Sequence, residues 1–174
     1  MVDYQTISIV LTGIGIIVSI LYYTNILRNS EKTRRIQLVS RIREMRGSEE
    51  GNKIGIELLE MKWTDFNDFN AKYDSTVNPD NYAKRFNVWG QLQEIGYMLH
   101  EDVITIETIY NLLGGHNSLI LWEKFKPIIY EQRRKYKDPS WFIYFEYLGE
   151  EIRKYRVKQG ISSELTDADG YLTP

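Results

Sequence analysis

From Tyr4 to Leu27 the chain carries no Asp, Glu, Lys, Arg or His, and no other feature restricts the fold so strongly. As a helix, about 24 residues cover roughly 36 Å at ~1.5 Å per residue, enough to cross bilayer hydrocarbon with a little tilt. A cleavable secretory signal would open on Lys or Arg and end in a small-residue cleavage pattern. This run instead follows Asp3 and ends in Tyr22-Tyr23-Thr24-Asn25. Tyr4 and the Tyr22–Tyr23 pair stand where interfacial aromatics belong at two membrane faces. The expectation is a retained anchor over residues 1–27. The competing reading, a core helix of a soluble protein, seldom runs so far without a charge.

Charge after the run sets an expected orientation. Arg28, Lys32, Arg34, Arg35, Arg41, Arg43 and Arg46 follow it against only Glu31 and Glu44. The positive-inside rule then puts the C-terminal side in the cytoplasm and the N-terminus outside, as in a single-pass cell-membrane protein. Residues 28–47, with Ile36, Leu38, Val39, Ile42 and Met45 at helical intervals, read as a basic amphipathic juxtamembrane helix. It either continues the span or is re-capped at Asn29-Ser30. Arg28, Lys32, Arg34, Arg35, Arg41 and Arg43 are candidate contacts to anionic lipid, at about 1 kcal/mol for each charge near the surface. The preferred reading makes them topology determinants on a solvated face. Nucleic acid is not an expected partner, because the whole chain has a net charge of −2 and the membrane already accounts for the local cations.

Within the run, Ser8, Thr12, Gly15 and Ser19 recur at intervals of four, three and four residues, so they share one narrow stripe of a helix. Small and hydroxyl residues let a second helix approach, which makes the stripe a candidate contact face for another copy or a partner membrane protein. Membrane helices also tolerate such residues with no partner, and both readings stand.

Residues 48–158 read as one helical cytosolic domain and 159–174 as a loose acidic tail. Ser48 followed by Glu49 and Glu50 is an N-cap with first-turn acids. Thr64-Asp65 opens a short helix with Phe66, Phe69 and Tyr73, and Pro79-Asp80 starts the next. That helix carries Tyr82, Phe86, Val88, Trp89, Leu92, Ile95, Gly96 and Leu99 on an apolar arc, with Lys84, Asn87, Gln91 and Glu94 opposite. A turn at His100-Glu101-Asp102 precedes a helix over Thr105–Leu113, closed by Gly114-Gly115. Asn117 is placed to cap the following helix, which Pro127 should kink or split. Asp138-Pro139-Ser140 begins the last helix, where Trp141, Phe145, Leu148, Ile152 and Tyr155 form an apolar stripe that ends at Gly160. No segment alternates with period two, so the class is all-α: one N-terminal transmembrane helix, then a domain of about five to seven helices. High aromatic content, 13 Tyr and 4 Trp, supplies the buried area that a small domain needs.

The stretches VWGQLQEIGYMLHEDVITIETIYNLLGG, LILWEKFKPIIYEQRRKY and WFIYFEYLGEEI resemble an uncharacterised prokaryotic family of single-span membrane proteins with a helical cytosolic domain. The resemblance covers roughly residues 60–155. It implies an N-terminal anchor and an α-helical domain, and it implies no activity, so no functional residues come with it.

The chain is poor in catalytic signatures. Zero cysteines remove disulfide scaffolds, thiolate metal sites and cysteine nucleophiles. The two histidines, His100 and His116, fall in expected turns and lie in neither a His-Glu-x-x-His nor a Glu-x-x-His pattern. Glu94, Glu107, Glu123, Glu146, Glu150 and Glu151 would serve acid–base chemistry only if two converged in a cleft with separated pKa values. Gly13-Ile14-Gly15 lacks the third glycine of a nucleotide-binding loop. Asp167 and Asp169 before Gly170 imitate an EF-hand, but Leu165 stands where the first ligand belongs. The clusters Arg133-Arg134-Lys135 with Lys137, and Arg153-Lys154 with Arg156 and Lys158, suit helix C-termini. No catalytic, cofactor-binding or metal-binding residue is assigned. The expected function is that of a non-enzymatic, membrane-anchored interaction protein or accessory subunit that packs against membrane protein partners. The alternatives are an enzyme acting on a small molecule near the membrane through Glu and Tyr residues, and an anionic-lipid-binding module.

Overall fold

The structure is a computed structural model that describes residues 3–166 and residue 172, apart from the side chains of residues 6, 45 and 46. The described residues form seven helices and no strand: α1 Tyr4–Gly47, α2 Glu49–Glu60, α3 Phe66–Tyr73, α4 Pro79–His100, α5 Ile106–Leu112, α6 Gly115–Tyr136 and α7 Ile143–Lys158. The Asp167, Asp169 and Gly170 turn lies outside the described residues. By its contacts the chain makes two compact units, Met1–Arg41 and Ile42–Pro174.

α1 is one continuous helix, so Asn29-Ser30 does not interrupt it. It contains the single helix among the described residues that is long and apolar enough to cross a membrane, and its most apolar stretch is wholly unburied. Three hydroxyls on that stretch are satisfied by the helix itself. Thr12 Oγ1 donates to the Ser8 carbonyl at 2.9 Å, Ser19 Oγ to Gly15 at 2.8 Å and Thr24 Oγ1 to Ile20 at 2.7 Å.

In the second unit the helix starts follow their caps. Ser48 accepts from the Gly51 amide, Asp65 from Asn67 and Asp68, and Asn78 from Asn81 with Pro79 directly after it. These bonds satisfy amides that lack partners within the helix. The core is aromatic: Trp89 stacks edge-on against Phe125 at 5.1 Å and Trp122 against Phe145 at 5.2 Å, and all four side chains are buried. The most extensive helix pair is α4 with α7, and it closes at Gly96, where a Cβ would overlap the Tyr144 carbonyl. Gly149 plays the same part against the Trp122 indole.

Four sequence expectations need correction. Asn117 does not cap α6, because the helix begins at Gly115 after Gly114 takes the left-handed conformation (φ 71°, ψ 50°). A Cβ on Gly115 would come within 2.7 Å of Tyr110 Cα, so this pair of glycines turns the chain where a capping side chain has no room. Of the two outcomes expected at Pro127, a kink or a split, the split does not occur, since α6 runs unbroken past it. α7 starts at Ile143, since residues 139–142 form a turn in which Ser140 bonds to Asp138 and Phe142 is left-handed. The segment after Gly160 is not wholly loose: Arg153 and Arg156 donate to the carbonyls of Ser163 and Ser162 at 3.3 and 3.0 Å.

Candidate functional site

A groove of about 600 Å³ lies within the second unit. It opens between α2, α4, the end of α5 and the start of α6. Its floor is aliphatic, from Ile54, Leu59, Val88, Leu113 and Leu121, and its rim carries the amides of Asn52, Asn87, Gln91 and Asn117. Gln91 donates to Asn87 at 3.3 Å along α4. The charged lining groups are Arg43 and Glu50.

Gly47, Gly51 and Gly55 line this groove at four-residue intervals. A Cβ added at Gly47 or Gly55 would meet no atom within 4 Å. That distinguishes them from Gly96 and Gly149, which the chain's own packing requires. Gly55 lies inside α2, where glycine costs about 0.8–1.0 kcal/mol relative to alanine, with no internal contact to offset it. Beside it Ile56 is 51% exposed. A small-residue wall, an apolar floor and an amide rim suit the close approach of a backbone or a helix, with amides available for its polar groups.

The carboxylates considered for catalysis are dispersed. Glu94 and Glu107 are exposed. Glu123 pairs with Arg153, and Glu151 with Lys154 at 2.6 Å. Glu146 accepts from the Tyr130 hydroxyl and from Arg133 Nη1, both at 2.6 Å. Burial works to raise the Glu146 pKa, but these two bonds and the guanidinium charge outweigh it and hold the carboxyl below its ordinary value. Burial, then the bond to Glu146, pushes the Tyr130 pKa up to about 12. At neutral pH the proton therefore stays on the phenol and the charge on Glu146. Among the described residues no three His, Asp or Glu side chains converge as metal ligands would.

The histidines stand on helix ends, not in turns: His100 closes α4 and His116 lies in the first turn of α6. His116 Nδ1 sits 3.0 Å from Arg156 Nη1. A guanidinium can only donate, so this nitrogen accepts and the ring is neutral with its proton on Nε2. Burial, then the Arg156 charge, lowers the His116 pKa.

Sequence reasoning missed Arg85, which it left off the apolar arc of α4. Arg85 is 2% exposed. Its guanidinium lies 4.5 Å from the Phe69 ring and 5.3 Å from Tyr82 and Trp89, and donates to the Tyr73 carbonyl at 3.1 Å. Burial lowers its pKa to about 10, still well above neutrality, so the cation persists inside an aromatic cage. Neighbouring Asn81 is buried too and donates to Glu57 at 3.0 Å. The groove was missed as well, although GSEEGNKIG carries its glycine spacing openly.

Ser8, Thr12, Gly15 and Ser19 share one side of α1 by its helical geometry, and Gly15 has open space around it. Arg28, Lys32, Arg34, Arg35, Arg41 and Arg43 are exposed, and none takes part in an ion pair among the described residues.

A long apolar helix leading into a small helical domain with an aromatic core and a glycine-walled groove defines the class. The family model described as a domain of unknown function, DUF4760, matches residues 9–152, and the chain belongs to that family. Comparison with curated proteins and with solved structures finds no match.

Proposed function

We propose that the chain is a single-span, membrane-anchored binding protein, with its N-terminus outside and its helical domain in the cytoplasm, and that the glycine-walled groove receives a helix of a partner membrane protein. The single observation that carries this reading is the pair Gly47 and Gly55. Both line an open groove and have room for a side chain, and Gly55, inside α2, lowers helix propensity without serving the chain's own packing. Anchoring is supported by the uncharged first half of α1 and the cations that follow it. The family match begins at residue 9, inside the apolar helix, which supports an apolar segment belonging to the domain instead of a leader.

The test is photo-crosslinking in native membranes from a probe at Asn87 or Gln91 on the groove rim, followed by identification of the attached chain. A discrete partner that is lost on Gly55→Leu is expected. Recovery of monomer alone, or of the full chain in the soluble fraction, would overturn the reading.

A lipid-binding role has its own support in the exposed, unpaired cations from Arg28 to Arg43. A chain shortened to begin at Arg28 would then bind anionic vesicles and release them as salt rises. Salt-insensitive attachment would rule this out.

A further inference from the structure

The C-terminal end of α4 and the first turns of α7 carry an uncovered aromatic surface of unusual charge. Tyr97, 48% exposed, meets Tyr144 edge-on at 5.1 Å. His100 meets Tyr144 at 5.3 Å and Tyr147 at 5.4 Å. An exposed tyrosine held by ring contacts, as Tyr97 is, loses little conformational freedom when a partner covers it. Glu94, Tyr97 and Glu101 recur at three- and four-residue intervals, so two carboxylates flank the tyrosine on one face, about 10 Å apart at ~1.5 Å per residue. Asp102 follows directly, and Lys154, whose charge reaches Tyr147, is already paired with Glu151. Glu94 and Asp102 have no ion-pair partner among the described residues, and Glu101 has only the ring of His100.

The complement is in the same sequence. Arg28, Lys32 and Arg35 recur at four- and three-residue intervals on α1, so their outer members are also about 10 Å apart along one helix face. All three are exposed and unpaired, with Glu31 the one acid of the segment 28–41 and Ile36 56% exposed beside them.

We propose that the Glu94–Tyr97–Glu101 face of one copy receives the Arg28–Lys32–Arg35 face of a second copy, Lys32 lying over the Tyr97 ring and the two arginines meeting the two carboxylates. The match of spacing, sign and aromatic backing carries this assignment. It rests on the reading of the chain as a binding protein and adds a second copy as one of its partners. A basic segment engaged this way is unavailable to lipid phosphates, so copy contact and headgroup contact exclude one another.

The absence of cysteine gives a clean test. Ser30→Cys in one tagged copy and Val103→Cys in another, both full-length, are reconstituted together in phosphatidylcholine bilayers and treated with a short bismaleimide. Crosslinks between the two tags are expected. Glu94→Lys with Glu101→Lys should cut their yield roughly tenfold, and Arg28→Glu with Arg35→Glu in the other copy should restore it. All four positions are exposed, and circular dichroism confirms that each variant stays folded. Absence of crosslinks, or crosslinks indifferent to the charge exchange, would overturn the proposal. If the Asn87 probe still captures a different chain in native membranes, the binding-protein reading survives that failure.

Discussion

Gly55→Ala separates a residue kept for a partner from one kept for the fold. The added Cβ meets no atom within 4 Å, so no clash opposes the change, and α2 has helical backbone on both sides of it. Helix propensity then stabilises the variant by about 0.8–1.0 kcal/mol. For a unit of this size that raises the melting temperature by roughly 3 °C. All four tryptophans, Trp63, Trp89, Trp122 and Trp141, lie in the Ile42–Pro174 unit. Tryptophan fluorescence during thermal or denaturant unfolding of the detergent-solubilised full chain therefore reports on that unit alone. Capture of a partner from the groove rim should fall at the same time, because the methyl group holds an approaching helix away from the wall. The opposite signs are the diagnostic. A variant that melts lower than the parent would show that Gly55 serves internal packing, and one that melts higher with capture unchanged would show that the groove is not where the partner sits.

Arg85 should behave as a structural cation. Arg85→Ala empties the cage between Phe69, Tyr82 and Trp89 and leaves the Tyr73 carbonyl without its donor, at a cost of about 3 kcal/mol, while Arg85→Met keeps the volume and recovers roughly half of that. Denaturant midpoints of the two variants check the ranking. His116 gives a pH dependence. Its pKa in the folded state lies below the ordinary 6.5, so the unfolded chain binds more protons in between, and stability falls as pH drops through about 6.5. His116→Gln should flatten the stability profile between about pH 7.5 and 5.5, and the loss that sets in as pH falls below about 4.5, where the unfolded chain protonates Glu146 before the folded one does, should persist.

The helices were legible because their caps and periodicity are local. Ser48, Asp65 and Asn78-Pro79 announce helix starts within a few residues, and the stripe Phe145, Leu148, Ile152 is buried as its spacing requires. What escaped depends on contacts distant in sequence. Arg85 looks like a solvated helix residue until Phe69, from another helix, folds over it. Phe86 belongs to the apolar arc by spacing yet is 41% exposed, because Asn81 and Arg85 occupy the buried side instead. Asn117 satisfies every local rule for a cap, and the close packing of Gly115 on Tyr110 is what moves the helix start forward. The groove was hidden for a related reason. Three glycines four residues apart can mean close packing inside the chain or room left outside it, and only the positions of neighbouring atoms decide between the two.

The hydroxyls of α1 decide which force can act on the stripe Ser8, Thr12, Gly15, Ser19. Each of Thr12 and Ser19 already donates to a carbonyl of its own helix, so in hydrocarbon neither needs a second helix to satisfy it. At Thr12 and Ser19, association along this face then comes from close packing around Gly15 and not from their hydroxyls. Thr12→Val keeps the shape and removes the hydroxyl, and should leave association unchanged. Gly15→Leu fills the approach and should abolish it. If interhelical hydrogen bonds held the contact instead, Thr12→Val would weaken it by about 1 kcal/mol or more, five- to tenfold in affinity. Energy transfer between donor- and acceptor-labelled chains, diluted in lipid at about 1 M salt so that ionic contacts outside the bilayer are screened, reads the two variants side by side. Unchanged transfer in Gly15→Leu would remove this face from any account of how the chain associates.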